Sequence, residues 1–94
     1  EYKKTRPAIV IQSEEISDIS SLVTVMPISS RVDKYLDPDI PMPKDEKNRL
    51  AQDSVIMVRQ ISTFDHSRFL HKIGEANSPV LRKVRGYLGK HFAL

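Results

Sequence analysis

A mainly β domain closed by one C-terminal helix is the architecture this sequence predicts, and three observations predict it. Short runs rich in β-branched residues recur early in the chain; prolines and charges fill the intervals between them; only the last stretch repeats apolar residues at helical spacing. Strands first and a single helix last favour a helix capping a strongly bent sheet or small barrel.

Pro7 to Gln12, reading PAIVIQ, opens with a proline at the one strand position that tolerates it and predicts the first strand. Ser13 then stands ahead of Glu14 and Glu15 as an N-cap for one helical turn, which ends where the chain turns at Asp18. Ser21 to Ile28 alternates polar and apolar residues before becoming wholly apolar, as in a strand passing from an exposed edge into a core. Val32 to Lys47 holds three of the six prolines and reads as loop, with at most a short edge strand over Ile40 to Met42. Ser54 to Ile61 reads as one strand, and Phe69 to Ile73 as another after the Asp65-His66-Ser67-Arg68 turn. Ser78-Pro79 reads as an N-cap followed by proline at the first helical position, with Val80, Leu81, Val84, Leu88 and Phe92 as the apolar stripe of the closing helix.

Ninety-four residues suffice for a single domain spanning 1–94, and 39% apolar with 29% charged residues is a folding composition. The absence of cysteine excludes a disulfide framework and thiolate metal sites. No run approaches the roughly 18 apolar residues of a membrane span, and no signal-peptide pattern opens the chain, so a soluble, cytoplasmic protein is expected. Position 1 is Glu, and the first strand starts only behind a basic cluster, so the domain is expected to be incomplete at its N-terminus. A net charge of +3 leans towards an anionic partner without deciding it.

His66, His71 and His91 lack the spacing of a zinc site, and Gly74, Gly86 and Gly89 form no phosphate loop, so neither a metal nor another cofactor is expected. Lys3-Lys4-Thr5-Arg6 precedes Pro7, whose ring stiffens the backbone just after a guanidinium able to grip a phosphate. Ser29, Ser30 and Arg31, at the end of the next strand, add two hydroxyls and a cation. Two converging strand ends make a candidate phosphodiester site. A solvated charge run and a serine-rich turn account for the same residues, and residue types alone leave that plainer reading ahead.

KTRPAIVIQ, then VTVMPISS, LAQDSVIMVRQISTFDHSRF and a closing amphipathic helix, taken in order and spacing, resemble the MazF/PemK toxins of bacterial toxin–antitoxin systems. The resemblance implies a small SH3-like β-barrel of the CcdB/MazF type, here without its first strand. It implies a homodimer, off the membrane, that cuts single-stranded mRNA by attack of the ribose 2′-hydroxyl on the adjacent phosphate without a metal. A cognate MazE-like antitoxin, which also joins it in a DNA-binding complex, would neutralise it. The family's catalytic arginine falls on Arg6 and its strand-end hydroxyl on Ser29, while Gln60 matches a position lining the RNA groove. Lys3, Lys4, Thr5, Ser30 and Arg31 join Gln60 as expected RNA-binding residues. Ser62 departs from the arginine many members carry, and Arg59 is the candidate to replace it. The alternative is a non-catalytic, CcdB-like gyrase poison of the same fold, which has no need of the arginine in KTRP.

Overall fold

In chain order the computed structural model, which describes residues 5–34 and 36–94, runs β1 (Ala8–Val10), α1 (Glu14–Ser17), β2 (Leu22–Ser29), β3 (Ile40–Met42), β4 (Ser54–Ile56), β5 (Ser62–Asp65) and α2 (Ser78–His91). Single 3₁₀ turns follow β2 at Val32–Lys34 and β5 at His66–Arg68. β2 is the spine. β1 pairs along one side of it, β4 and β5 share the other, and β3 continues beyond β4, every pairing being antiparallel. The result is a curled half-barrel sheet with α2 against its inner face.

A proline sets the curl. Ile28 donates to the Pro7 carbonyl at 3.1 Å and Ile11 to the Thr24 carbonyl at 3.1 Å. Pairs alternate along an antiparallel ladder, so Pro27 would aim its N–H away from β1, towards β4 and β5. It has none to give. On that side Ile28 pairs with Ile56 and Val25 with Ser62, so β2 advances three residues while its partner advances six. The surplus arches out over 57–61, where Gln60 donates to the Met57 carbonyl at 3.0 Å. Of the strand expected from Ser54 to Ile61 only Ser54–Ile56 forms; the bulge takes up the rest, and β5, not foreseen, begins just beyond it at Ser62.

Phe69 to Ile73 forms no strand. Leu70 and Ile73 are 73% and 43% exposed, and the segment crosses to the foot of α2 unpaired with any strand among the described residues. The expected edge strand does form: Pro41 sits in the middle of β3, tolerated because β3 lies at the end of the sheet.

α1 is capped as expected by Ser13, whose Oγ accepts from the Ile16 N–H at 3.2 Å. α2 starts one residue earlier than expected. Asn77 is its cap, with Oδ1 accepting from the Val80 N–H at 2.9 Å, and Ser78 and Pro79 fall in the first turn. Val80 and Val84 pack against Ile9, Met26, Ile28, Ile40, Met42, Ile56 and Val58, which form the core between helix and sheet. Leu81 and Leu88 pack at its margin, whereas Phe92 lies past the helix end and is 56% exposed. No helix among the described residues is long and apolar enough to cross a membrane.

The 43–53 segment is held by hydrogen bonds centred on buried Asn48. Asn48, 3% exposed, donates to the Pro43 carbonyl at 2.9 Å and accepts from the Asp45 and Leu50 N–H groups at 3.1 and 2.9 Å. Asp45 accepts from the Asn48 N–H at 2.7 Å. That bond, ahead of one from the Asn77 amide, holds the Asp45 carboxyl below its usual range.

Candidate active site

The β1–β2 ladder decides whether the two strand ends meet. Ala8 pairs with Pro27, and the Pro7–Ile28 hydrogen bond adds the next step. One step further in the same register sets Arg6 opposite Ser29. Directly opposed antiparallel residues lie about 4.5–5.5 Å apart and share a face. Ile9, Met26 and Ile28 point into the core with α2, so Arg6 and Ser29 belong to the other face of the sheet.

The two groups are complementary donors. Arg6 is exposed and has no ion-pair partner among the described residues. Ser29 is half-buried, and its Oγ accepts from the Arg31 N–H at 3.1 Å. That bond fixes the oxygen and leaves the hydroxyl hydrogen to be given elsewhere. The strand-end turn foreseen for the serines is thus real, and it orients Ser29. A guanidinium and an aimed hydroxyl on one face suit a phosphate that gains negative charge.

The remaining candidates spread outward from this pair. Thr5 lies beside Arg6, exposed, and Ser30 is exposed in the turn after Ser29. Arg31 shares its charge with Asp33 at 4.0 Å, both well exposed, an interaction of little strength. Gln60 is exposed on the bulge opposite Pro27, a strand away and two residues back along β2, so it flanks the pair without adjoining it. Lys3 and Lys4 lie outside the described residues. The three histidines sit elsewhere: His66 in the turn after β5, His71 in the crossing to α2, and His91 at the end of α2, its Nδ1 2.8 Å from the Tyr87 hydroxyl. Among the described residues no three histidine or acidic side chains gather as a metal site.

Several residues quoted for the resemblance hold the fold. Thr63 meets Thr24 across β2 and β5 at 3.1 Å, and Asp65 caps the 3₁₀ turn by accepting from the Ser67 N–H at 2.9 Å. The Ser67 hydrogen bonds hold the Asp65 carboxyl below its usual range. Arg68 lies over the Phe64 ring, 5.1 Å from its centre, and Asp53 accepts from the Lys44 N–H at 3.0 Å. Sequence reasoning missed Asp39, which is 3% exposed and reached by Arg59 at 3.4 Å. Aspartate inside a charged, proline-rich loop carries no signal of burial.

A curled sheet on one helix is an architecture shared with bacterial toxins of known structure. The chain superposes on the Mycobacterium tuberculosis toxin MazF-mt6 with a TM-score of 0.79 at 26% identity, covering 95% of this chain and 87% of that one. On a chain of a MazE–MazF crystal structure from Deinococcus radiodurans the TM-score is 0.77 at 27% identity, covering 95% of this chain and 83% of that one. The profile of the PemK-like, MazF-like toxins of type II toxin–antitoxin systems matches residues 1–92, and the chain belongs to that family. The endoribonuclease MazF of Staphylococcus saprophyticus is 30% identical over 79 residues, which are 84% of this chain and 66% of that protein. The match thus spans just under two thirds of that relative's length.

Proposed function

We propose that this protein is an endoribonuclease toxin that cuts single-stranded RNA without a metal. The observation that carries this reading is the register that sets Arg6 opposite Ser29 on one face. A similar protein is an endoribonuclease MazF, which supports RNA cleavage as the activity.

The ribose 2′-hydroxyl attacks the adjacent phosphorus, a new O–P bond forms, and the bond to the 5′-oxygen of the next nucleotide breaks. The products are a cyclic phosphate and a free 5′-hydroxyl. Negative charge builds on the non-bridging oxygens, and Arg6 and Ser29 donate to them. Arg6 acts as a charged donor, since a guanidinium with a pKa above about 12 is a poor proton acceptor at neutral pH. Gln60, Thr5, Ser30 and Arg31 contact the flanking nucleotides, with Lys3 and Lys4 adding to the binding charge.

The toxin works as a homodimer and is neutralised by a MazE-like antitoxin. Structures of MazE with MazF in similar proteins support that partner. The test is single-stranded RNA incubated with full-length protein and excess chelator. Cuts at a short recurring sequence, lost in Arg6→Ala and in Ser29→Ala, are expected. Intact RNA, or trapped gyrase–DNA complexes in cells whose mRNA stays whole, would replace the reading with that of a gyrase-binding protein.

A further inference from the structure

α2 carries Arg82, Lys83, Arg85 and Lys90 and no acidic residue. These four cations exceed the +3 of the whole chain, so the remainder is slightly acidic and the positive field concentrates on the helix. That field is across the sheet from Arg6 and Ser29, because α2 covers the core face.

A cleft of about 360 Å³ opens between α2 and the 37–41 segment, walled by Asp37, Asp39, Lys83, Gly86, Tyr87 and Lys90. Its size falls within the range of small-molecule sites, about 300–1,000 Å³. Asp39 Oδ2 takes one long hydrogen bond, 3.4 Å, from Arg59, and its buried Oδ1 has no hydrogen-bond partner. A buried acceptor left without a donor is costly, and a ligand N–H that reached it would remove the cost. Gly86 is a poor helix former, and a Cβ there would meet nothing within 4 Å. Packing within the chain therefore does not require glycine, and its effect is to keep the cleft open.

We propose that this cleft binds a guanine nucleotide. An ionised carboxylate only accepts, and guanine alone among the RNA bases offers it two neighbouring donors, N1–H and the N2 amino group. Adenine and cytosine set an acceptor beside their amino group, and uracil sets a carbonyl on each side of its single N–H. Lys83 and Lys90 supply charge for the phosphate, and Tyr87 an aromatic wall for the base. An acidic peptide would satisfy the lysines but meet the carboxylates of Asp37 and Asp39. The biological ligand, a guanosine of the substrate RNA outside the cut linkage, rests on the ribonuclease reading; nucleotide binding itself does not.

The test is an NMR titration of the full-length protein with GMP, AMP, CMP, UMP and inorganic phosphate, beside cleavage of a short RNA free of guanine. GMP should shift the Gly86 and Tyr87 amides and bind about tenfold more tightly than the other nucleotides. Asp39→Asn should erase that preference, and Lys83→Ala with Lys90→Ala should weaken all nucleotides alike. Gly86→Leu should block binding while the thermal midpoint does not fall and cleavage of the short RNA stays unchanged. No shift at millimolar GMP, equal affinity for all bases, or phosphate binding as tightly as GMP overturns the proposal, as does an acidic peptide that displaces GMP while GMP shows no preference over UMP. Nucleotide binding without RNA cleavage would sink the ribonuclease reading and leave the cleft; cleavage without nucleotide binding would do the reverse.

Discussion

Asn77 donates its side-chain amide to Asp45 at 3.1 Å across 32 residues, and the same side chain caps α2 through its oxygen. The 43–53 segment and the start of the helix are thereby one unit, and its integrity depends on Asp45 remaining ionised.

Acid should loosen that unit. Hydrogen bonds to Asp45 and Asp65, and for Glu75 the bond from Lys72, hold all three carboxyls below their usual values. Their stabilisation is complete above the unfolded values of 3.8 and 4.5 and disappears as pH falls through the lower folded values. Thermal midpoints should stay level down to about pH 5 and then fall. Asp45→Asn combined with Asp65→Asn and Glu75→Gln should flatten that fall, and an unchanged acid limb would assign it to other groups.

Gly74 and Gly86 should respond to alanine in opposite directions. A Cβ at Gly74 would come within 2.5 Å of the Asn48 carbonyl oxygen and 2.6 Å of that of Lys47, both backbone atoms. Gly74→Ala should cost about 1–3 kcal/mol in urea unfolding, the usual price of overpacking. Gly86→Ala, in open space on a helix, should gain about 0.5–1 kcal/mol.

Truncating the buried side chain under the curl should be expensive. Met26 is fully buried beside Pro27, in the core that α2 closes. Met26→Ala should lower unfolding free energy by about 2–5 kcal/mol, measured by chemical denaturation. A loss under 1 kcal/mol would show that the core collapses around the gap.

Conservative replacements should separate the two proposed catalytic groups. Ser29→Thr keeps the hydroxyl and should retain cleavage within about tenfold, while Ser29→Ala should lose about a hundredfold or more. Arg6→Lys keeps the charge without the fork and should recover little. Circular dichroism should be unchanged for all three, since Arg6 is exposed and Ser29 ends its strand.

Local chemistry made much of the fold legible. The proline opening β1, the Ser13 cap, the apolar run of β2, the edge strand around Pro41 and the spacing of Val80 and Val84 each act within a few residues. The early end of the Ser54 strand at Ile56 and the start of β5 at Ser62 were not legible there, because their cause is the missing N–H of Pro27 on another strand. Phe69 to Ile73 misled for a related reason: its apolar residues suit a strand, but Leu70 and Ile73 stay exposed and no strand pairs with it among the described residues.

The sequence by itself determined the family, most element types and which side chains stand at the two strand ends, since propensity, capping and side-chain chemistry belong to the residues. Tertiary structure alone decided the register that pairs β1 with β2, that Asn48 and Asp39 are buried, and that Lys83 and Lys90 border a cleft. Pairing register and burial depend on which distant segment lies alongside, and no residue carries that information in its own side chain.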